Sequence, residues 1–288
     1  MSVELADSIT AIRARLAPLR REGKLIGLVP TMGALHAGHI ALMRLARRES
    51  DCLVVSIFVN PIQFNRPDDF EAYPRPMNDD LLICDQEGVD FVFAPHAAEM
   101  YPRTQRAFVE VETLTDHLCG KFRPGHFRGV ATVVAKLFNI VQPGRAYFGE
   151  KDAQQLAVIR RMVEDLDMPL TIVEAPTVRE DDGLAISSRN VQLDAEQRHV
   201  AAVLSEALFA AREQVARGER EAAALKREGL SVLERQPSVR VEYFEVVDSA
   251  EMQPVERIEK PVRIAGAVWV GKTRLIDNVL VDVDAGAE

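Results

Sequence analysis

The sequence predicts an α/β fold, a doubly wound parallel sheet followed by a smaller C-terminal α+β domain, and three observations carry that prediction. Short apolar runs recur along the first 176 residues: "LIGLV" (25–29), "CLVVSIFV" (52–59), "VDFVF" (89–93), "AYF" (146–148) and "LTIV" (170–173). Their hydrophobicity is continuous, not alternating, which is the pattern of strands covered on both faces in a parallel sheet with helical crossovers. After Thr177 the texture changes to Ala- and Glu-rich stretches and then to alternating runs, as expected for helices followed by antiparallel strands.

Between the apolar runs the period becomes helical. Residues 39–49 put Ile40, Met43 and Ala46 on one face and Arg44, Arg47 and Arg48 largely on the other, and 130–141 repeats Val130, Val133, Val134, Leu137 and Val141 at helical spacing, so both read as crossover helices. "DAEQ" (194–197) has the form of a capping box opening one long helix to Gly218; a second helix follows, and then "VEYFEVV", "VRIAGAVWV" and "RLIDNVLVDV". Two domains are expected, 1–176 and 177–288.

Composition narrows the function. The chain has 288 residues, 47% hydrophobic and 27% charged, the profile of a soluble globular protein. A formal charge of -9 argues against a nucleic-acid-binding surface and leaves small molecules as partners, since a local cluster of Arg and Lys can still hold an anion. Cys52, Cys84 and Cys119 lie far apart and are odd in number, so neither a zinc site nor a disulfide framework is expected, and the thiols read as reduced and cytoplasmic. "MSVELADSITAIRARL" has no uninterrupted apolar core, and no stretch reaches the ~18 apolar residues of a membrane span, so neither export nor a membrane is expected.

"PTMGALHAGH" (30–39) follows the first apolar run and places His36 and His39 three apart at the entry to a helix. Ligands of doubly wound sheets sit at such loops, where helix N-termini offer unpaired N–H donors and a positive dipole end. Gly33 and Gly38 allow close backbone approach, and two imidazoles beside orphan amides suit a polyphosphate. The plainer alternative is that one histidine caps the helix and the other is a satisfied surface group. The spacing is neither Gly-x-Gly-x-x-Gly nor a P-loop.

Four more stretches carry chemistry. "FVNPIQF" (58–64) offers Asn60 and Gln63, neutral amides able to read hydroxyl and carboxylate oxygens. "FGEKDAQQL" (148–156) supplies a Lys151 charge for phosphate, Asp152 for a ribose hydroxyl and Gln155 for a substrate, or else is a solvated helix start. "ISSRN" (186–190) reads as a phosphate clamp or a capping loop, and "RPGHFRGV" (123–130) as an anion-friendly helix entry in which Arg123 either meets phosphate or makes an ordinary ion pair. In "NDD" (78–80), Asp79 is the candidate magnesium carboxylate, although acidic pairs are commonplace at helix starts.

"HAGH" after a first strand resembles the His-x-Gly-His signature of nucleotidylyl transferases. Together "PTMGALHAGH", "FVNPIQF", "RPGHFRGV", "FGEKDAQQL" and "GLAISSRN" stand in the order and approximate spacing of the pantothenate synthetase (pantoate:β-alanine ligase) family, from about residue 8 to 285. "ISSRN" then resembles that family's version of the superfamily's Lys-Met-Ser-Lys-Ser loop.

The resemblance implies a Rossmann-like nucleotide- and pantoate-binding domain (1–176) and a C-terminal lid (177–288). It implies a cytoplasmic homodimer that uses ATP and Mg²⁺ to make pantoyl adenylate from pantoate, and then lets the β-alanine amine displace AMP. By the same resemblance Met32, Gly33, Ala34, Leu35, His36, Ala37, Gly38 and His39 line the ATP site, with His36 and His39 donating to phosphates and His39 the proton donor. Gly149, Glu150, Lys151 and Asp152 wrap ATP, with Lys151 on phosphate oxygens. Val178, Ile186, Ser187, Ser188 and Arg189 close over adenine and triphosphate. His39, His36, Lys151 and Arg189 are thus the expected catalytic residues, Gln63 and Gln155 grip pantoate, Gln63 also lies at β-alanine, and Arg123 is a further phosphate contact.

Two positions depart from the family pattern. Ile83 stands where some relatives have a glutamine four residues after the first aspartate, which weakens a magnesium site at Asp79, and Ile186 stands where Met or Leu is frequent, a volume-similar change. No dedicated Mg²⁺ cage is visible, so the ion is expected to ride on ATP phosphates. Two other readings remain: a nucleotidylyl transferase that releases its adenylylated product, and an idle nucleotide-binding regulator.

Overall fold

Strands β1 (Glu4–Ala6), β2 (Ile26–Thr31), β3 (Cys52–Ile57), β4 (Phe91–Phe93), β5 (Arg145–Gly149) and β6 (Thr171–Ala175) pair in parallel in the spatial order β1-β4-β3-β2-β5-β6. Strands β7 (Val239–Asp248), β8 (Val262–Val270) and β9 (Thr273–Val281) form an antiparallel sheet with β8 in the middle. This computed structural model describes residues 2–282. The chain divides into two compact units, Met1–Val111 with Arg123–Glu150 and Val158–Pro176, and Glu112–Phe122 with Lys151–Ala157 and Thr177–Glu288.

In the first unit every residue of β3 is buried, and in β2 all but Pro30, as continuous apolar runs require when both faces are covered. Pro30 has no N–H to give, and it lies beyond Leu28, the last residue of β2 that pairs with β5. From β2 the chain builds outward through β3 and β4 and then returns to β5 on the other side. The order therefore reverses between β2 and β5, and the segments leaving their carboxyl ends are the ones that begin at Met32 and Glu150. The short β1, absent from the expected strands, pairs with β4 at the sheet edge.

The second unit packs helices Val203–Ala216 and Ala222–Leu233 on its sheet through Leu204, Leu208, Leu225, Leu233, Phe244, Ile264 and Val268. The capping box at Asp194 forms: Asp194 Oδ1 accepts from the Gln197 amide at 2.9 Å and Gln197 Oε1 accepts from that of Asp194 at 3.3 Å. The single long helix expected after it is instead two, Ala195–Ala201 and Val203–Ala216. Ser205 Oγ donates to the Ala202 carbonyl at 2.8 Å at the break, a back-bond that bends helices.

Residues 112–122 and 151–157 group with the second unit, not with their sequence neighbours. Gln154, buried, donates to the carbonyls of Leu114 and His117 at 2.8 Å each and accepts from the Gly120 amide at 3.3 Å, tying one segment to the other. Cys119 Sγ lies 3.2 Å from the Tyr243 hydroxyl of β7. No helix among the described residues is long and apolar enough to cross a membrane.

Candidate active site

The loop after β2 is stretched between two anchors. Gly33 (φ 81°) and Ala34 (φ 50°) are successive left-handed residues, a conformation that costs a non-glycine residue about 1–2 kcal/mol. Asp80, buried in helix Met77–Gln86, holds it: Oδ2 accepts from the Ala34 amide at 2.9 Å and Oδ1 from that of Leu35 at 2.8 Å. A Cβ on residue 33 would lie 2.8 Å from that same Oδ2 and 3.0 Å from Ile57 Cγ2, so glycine is required by space as well as by φ. Burial pushes the Asp80 carboxyl above its ordinary range, against the two amides, which favour the charged form.

Of the acidic pair it is therefore Asp80, not the exposed Asp79, that reaches the loop. The signal lay in the helix period, since Asp80 sits one turn before the buried Cys84. Among the described residues no three His, Cys, Asp or Glu side chains converge as a metal site.

Helix Ala37–Glu49 begins with a reciprocal cap made by the two histidines. His36 Nδ1 accepts from the Gly38 amide at 3.2 Å, and His39 Nδ1 accepts from the His36 amide at 3.3 Å, with ring centroids 4.0 Å apart. Accepting at Nδ1 requires its lone pair, so each neutral ring carries its proton on Nε2. The amides of Gly33, Ala34, Leu35, His36 and Gly38 are all engaged, the first by Thr31 Oγ1 at 3.1 Å. Side chains therefore satisfy these five amides, and the two imidazoles present N–H groups at the same helix entry.

Gln63, in the 3-10 turn Pro61–Gln63 after β3, is buried and fixed on several sides. Tyr101 Oη donates to Asn60 Oδ1 at 2.7 Å, Asn60 Nδ2 donates to Gln63 Oε1 at 2.9 Å and to the Gly129 carbonyl at 3.2 Å, and Gln63 Nε2 faces Met32 Sδ at 3.2 Å. Burial raises the Tyr101 phenol, keeping it a donor, so the relay runs in one direction. The Asn60 amide nitrogen is thus committed to Gln63 Oε1 and the Gly129 carbonyl, which orients Gln63. The last acceptor, a thioether, is weak, so a carboxylate or hydroxyl oxygen would replace it readily.

Helix His126–Val141 begins at His126, whose Nε2 accepts from Arg123 Nη1 at 3.2 Å while Nδ1–H donates to the Gln63 carbonyl at 2.9 Å. Arg123 thus acts on Gln63 through this imidazole, and Arg128 lies 3.9 Å over the Phe108 ring. Within "RPGHFRGV" it is Arg123 and His126 that brace Gln63.

In the second unit, Lys151 and Asp152 stand in the 3-10 turn Glu150–Asp152 that follows Gly149, 3.8 Å apart as an ion pair, and helix Ala153–Asp165 carrying Gln155 follows. Val178 and Ile186 face one another across a tight hairpin, with the Ile186 amide donating to the Val178 carbonyl at 3.0 Å and Arg179 bridged to Ala185. Ser187 then caps the 3-10 turn Ser188–Gln192, its Oγ accepting from the Arg189 amide at 3.3 Å. Sequence reading passed over Tyr101, Asp277 and Asn278, whose partners lie 41, 98 and 127 positions away.

The family model described as pantoate-beta-alanine ligase matches residues 4–280. Proteins named pantothenate synthetase from Heliobacterium modesticaldum and Moorella thermoacetica are 53% and 51% identical, each over 98% of this chain and 100% of the relative. The crystal structure of pantothenate synthetase from Thermus thermophilus superposes with a TM-score of 0.92 at 46% identity, covering 96% of this chain and 99% of that one. A Francisella tularensis pantoate-beta-alanine ligase, solved complexed with beta-gamma ATP and beta-alanine, superposes with a TM-score of 0.80 at 34% identity, covering 97% and 98%. Likeness of this extent, in sequence and in fold at once, places the chain in the pantoate-beta-alanine ligase family.

Proposed function

We propose that the chain condenses pantoate with β-alanine to pantothenate in two steps. The pantoate carboxylate attacks the α-phosphorus of ATP, pyrophosphate leaves and pantoyl adenylate forms; the β-alanine amine then attacks the acyl carbon, AMP leaves and an amide remains. The observation that carries the reading is the reciprocal His36–His39 cap, which sets both imidazoles as Nε2–H donors at the strand-order reversal between β2 and β5. Joining two anions requires neutralised charge and fixed alignment, and alignment alone is worth about 7–11 kcal/mol of barrier.

The roles are those that the family resemblance implies. His36 and His39 donate to triphosphate oxygens, with His39 the proton donor, and the residues from Met32 to His39 shape the nucleotide loop. Gln63, held by Asn60 and the Gln63–His126 bond, turns Nε2–H from Met32 to pantoate and lies beside β-alanine; Gln155 is the second pantoate ligand. Gly149, Glu150, Lys151 and Asp152 contact ATP with Lys151 on phosphate, as do Val178, Ile186, Ser187, Ser188 and Arg189. Arg123, engaged with His126, is a secondary phosphate contact. Residues 1–176 bind nucleotide and pantoate and 177–288 act as a lid. Asp79 is exposed and Asp80 is committed to loop amides, and among the described residues no cluster of three or more His, Cys, Asp or Glu could hold Mg²⁺; the ion would come with the ATP phosphates. The enzyme works as a cytoplasmic homodimer.

The test is to incubate the chain with ATP, Mg²⁺ and pantoate, with and without β-alanine, and follow AMP. β-Alanine-dependent AMP is expected; ADP, or AMP indifferent to the amine, rejects the reading. A persistent adenylylated product with pyrophosphate release identifies a plain nucleotidylyl transferase instead. His39→Ala and Lys151→Ala each lower the rate on the order of 10²-fold, the cost of a lost transition-state donor, without a matching loss of thermal stability.

A further inference from the structure

Adjacent residues of β9, Asp277 and Asn278, are both buried, and successive side chains of a strand leave it on opposite faces. Asp277 takes Arg179 on both carboxylate oxygens, Nη1 at 2.6 Å and Nη2 at 3.0 Å. Arg179 also donates to the Gly183 carbonyl at 3.0 Å and to that of Asn278 at 3.3 Å. It thereby pins the hairpin whose two arms end at Val178 and Ile186, immediately before the Ser187–Arg189 turn. Asn278 works in the other direction: Nδ2 donates to the Lys151 carbonyl at 3.0 Å, while Oδ1 accepts from Arg263 Nη1 at 2.8 Å. Its backbone amide donates to Asp277 Oδ1 at 2.8 Å, which locks the two residues to one another.

Burial raises the Asp277 carboxyl, and Arg179, followed by weaker influences that include the Lys151 ammonium, opposes that rise. A fork-to-fork guanidinium–carboxylate pair has one geometry, so it fixes orientation as well as charge. The strand thus reaches two motifs far apart in sequence through bonds that leave little room for either to move.

We propose that Asp277 and Asn278 are positioning residues of the nucleotide site, one dipeptide of β9 setting both the Lys151 turn and the hairpin that carries Ile186 to Arg189. The inference rests on the reading above that those two motifs bind ATP. Neither residue touches substrate; each acts through its partner, Asn278 on the main chain of Lys151 and Asp277 on Arg179. Reacting groups misplaced by about 1 Å lose on the order of 10²-fold in rate, so the adenylation step is where the loss falls.

The test uses Asn278→Asp beside Asn278→Ala. Asn278→Asp keeps an oxygen acceptor for Arg263 but puts a carboxylate against the Lys151 carbonyl. Three quantities are read: pyrophosphate release with ATP and pantoate alone, ATP affinity by calorimetry, and melting temperature. The expected result is that Asn278→Asp loses about 10-fold or more in adenylation rate or ATP affinity while melting near the parent, with the KM for β-alanine unchanged. In a Lys151→Ala background the same change costs less than in the parent, because the ammonium that the turn carries is gone while its main chain remains. Activity and ATP affinity equal to the parent's, or losses that merely track melting temperature, or full additivity with Lys151→Ala, overturn the inference. A parent chain without β-alanine-dependent AMP overturns the functional reading separately, and ATP affinity then still decides the positioning role.

Discussion

Tyr101 donates its phenolic hydrogen to Asn60 Oδ1 at 2.7 Å, and this one bond decides which way the Asn60 amide points and so which face of Gln63 is left for a ligand. Tyr101→Phe leaves a buried carbonyl oxygen without its donor, at a cost of about 1–3 kcal/mol. The expected outcome is a raised KM for pantoate with the KM for ATP nearly unchanged, measured by steady-state kinetics. Equal rises in both would mean that Tyr101 supports the unit as a whole and not Gln63.

Asp80 makes a prediction about pH. Its carboxyl is raised in the folded chain by burial, so the native state holds that proton more tightly than the unfolded chain does. Stability from this group is highest below the ordinary Asp range near pH 4 and falls as pH rises from there through the folded value. Asp80→Asn removes the titration and one of the two acceptor oxygens. The margin in melting temperature by which the parent exceeds Asp80→Asn should therefore narrow as pH is raised from 4 toward 7. At neutral pH the variant should lose adenylation rate, because only one of the Ala34 and Leu35 amides keeps its partner. A margin that widens with pH contradicts this account.

Gly129 lets helix His126–Val141 lie directly on the turn that carries Gln63. A Cβ there would come 2.5 Å from the Ile62 carbonyl and 2.6 Å from Gln63 Cα, both backbone atoms that cannot rotate aside. Gly129→Ala should destabilise by about 1–3 kcal/mol, as overpacking does, and should raise the KM for pantoate in the same variant. Chemical denaturation and kinetics measure the two effects; a variant as stable and active as the parent would show that the turn yields.

The three cysteines are buried, and burial pushes the thiols of Cys52 and Cys84 up to about 12. At pH 8 each of these two is thiolate to roughly one part in ten thousand, and the thiolate is the reactive form. Ellman's reagent should find neither thiol in the native chain and all three cysteines after unfolding in urea. Rapid labelling of Cys52 or Cys84 in the native state would contradict their burial.

Much of this molecule is written locally. The continuous apolar runs at 25–29 and 52–59 overlap β2 and β3, because a strand covered on both faces has no polar side to alternate with. The capping box at Asp194 and the helix entry after "PTMGAL" are equally local, each closed within three residues. The five motifs sufficed to indicate the family. Two features were illegible for different reasons: β1 is three residues long and becomes a strand only against the distant β4, whereas the break at Ala202, where Ser205 bonds back along the chain, sits inside an otherwise helical run.

By itself, then, the sequence determined the fold class, a parallel sheet followed by a smaller α+β part, and the family, because these depend on periodicity, caps and short motifs that neighbouring residues settle among themselves. Only tertiary structure decided what those side chains are committed to. Asp80 and not Asp79 meets the loop after β2, Asn60 serves Gln63, and Asp277 and Asn278 hold Arg179 and Lys151. The physical reason is that a buried polar group must find a partner, and the fold, not the distance along the chain, supplies it.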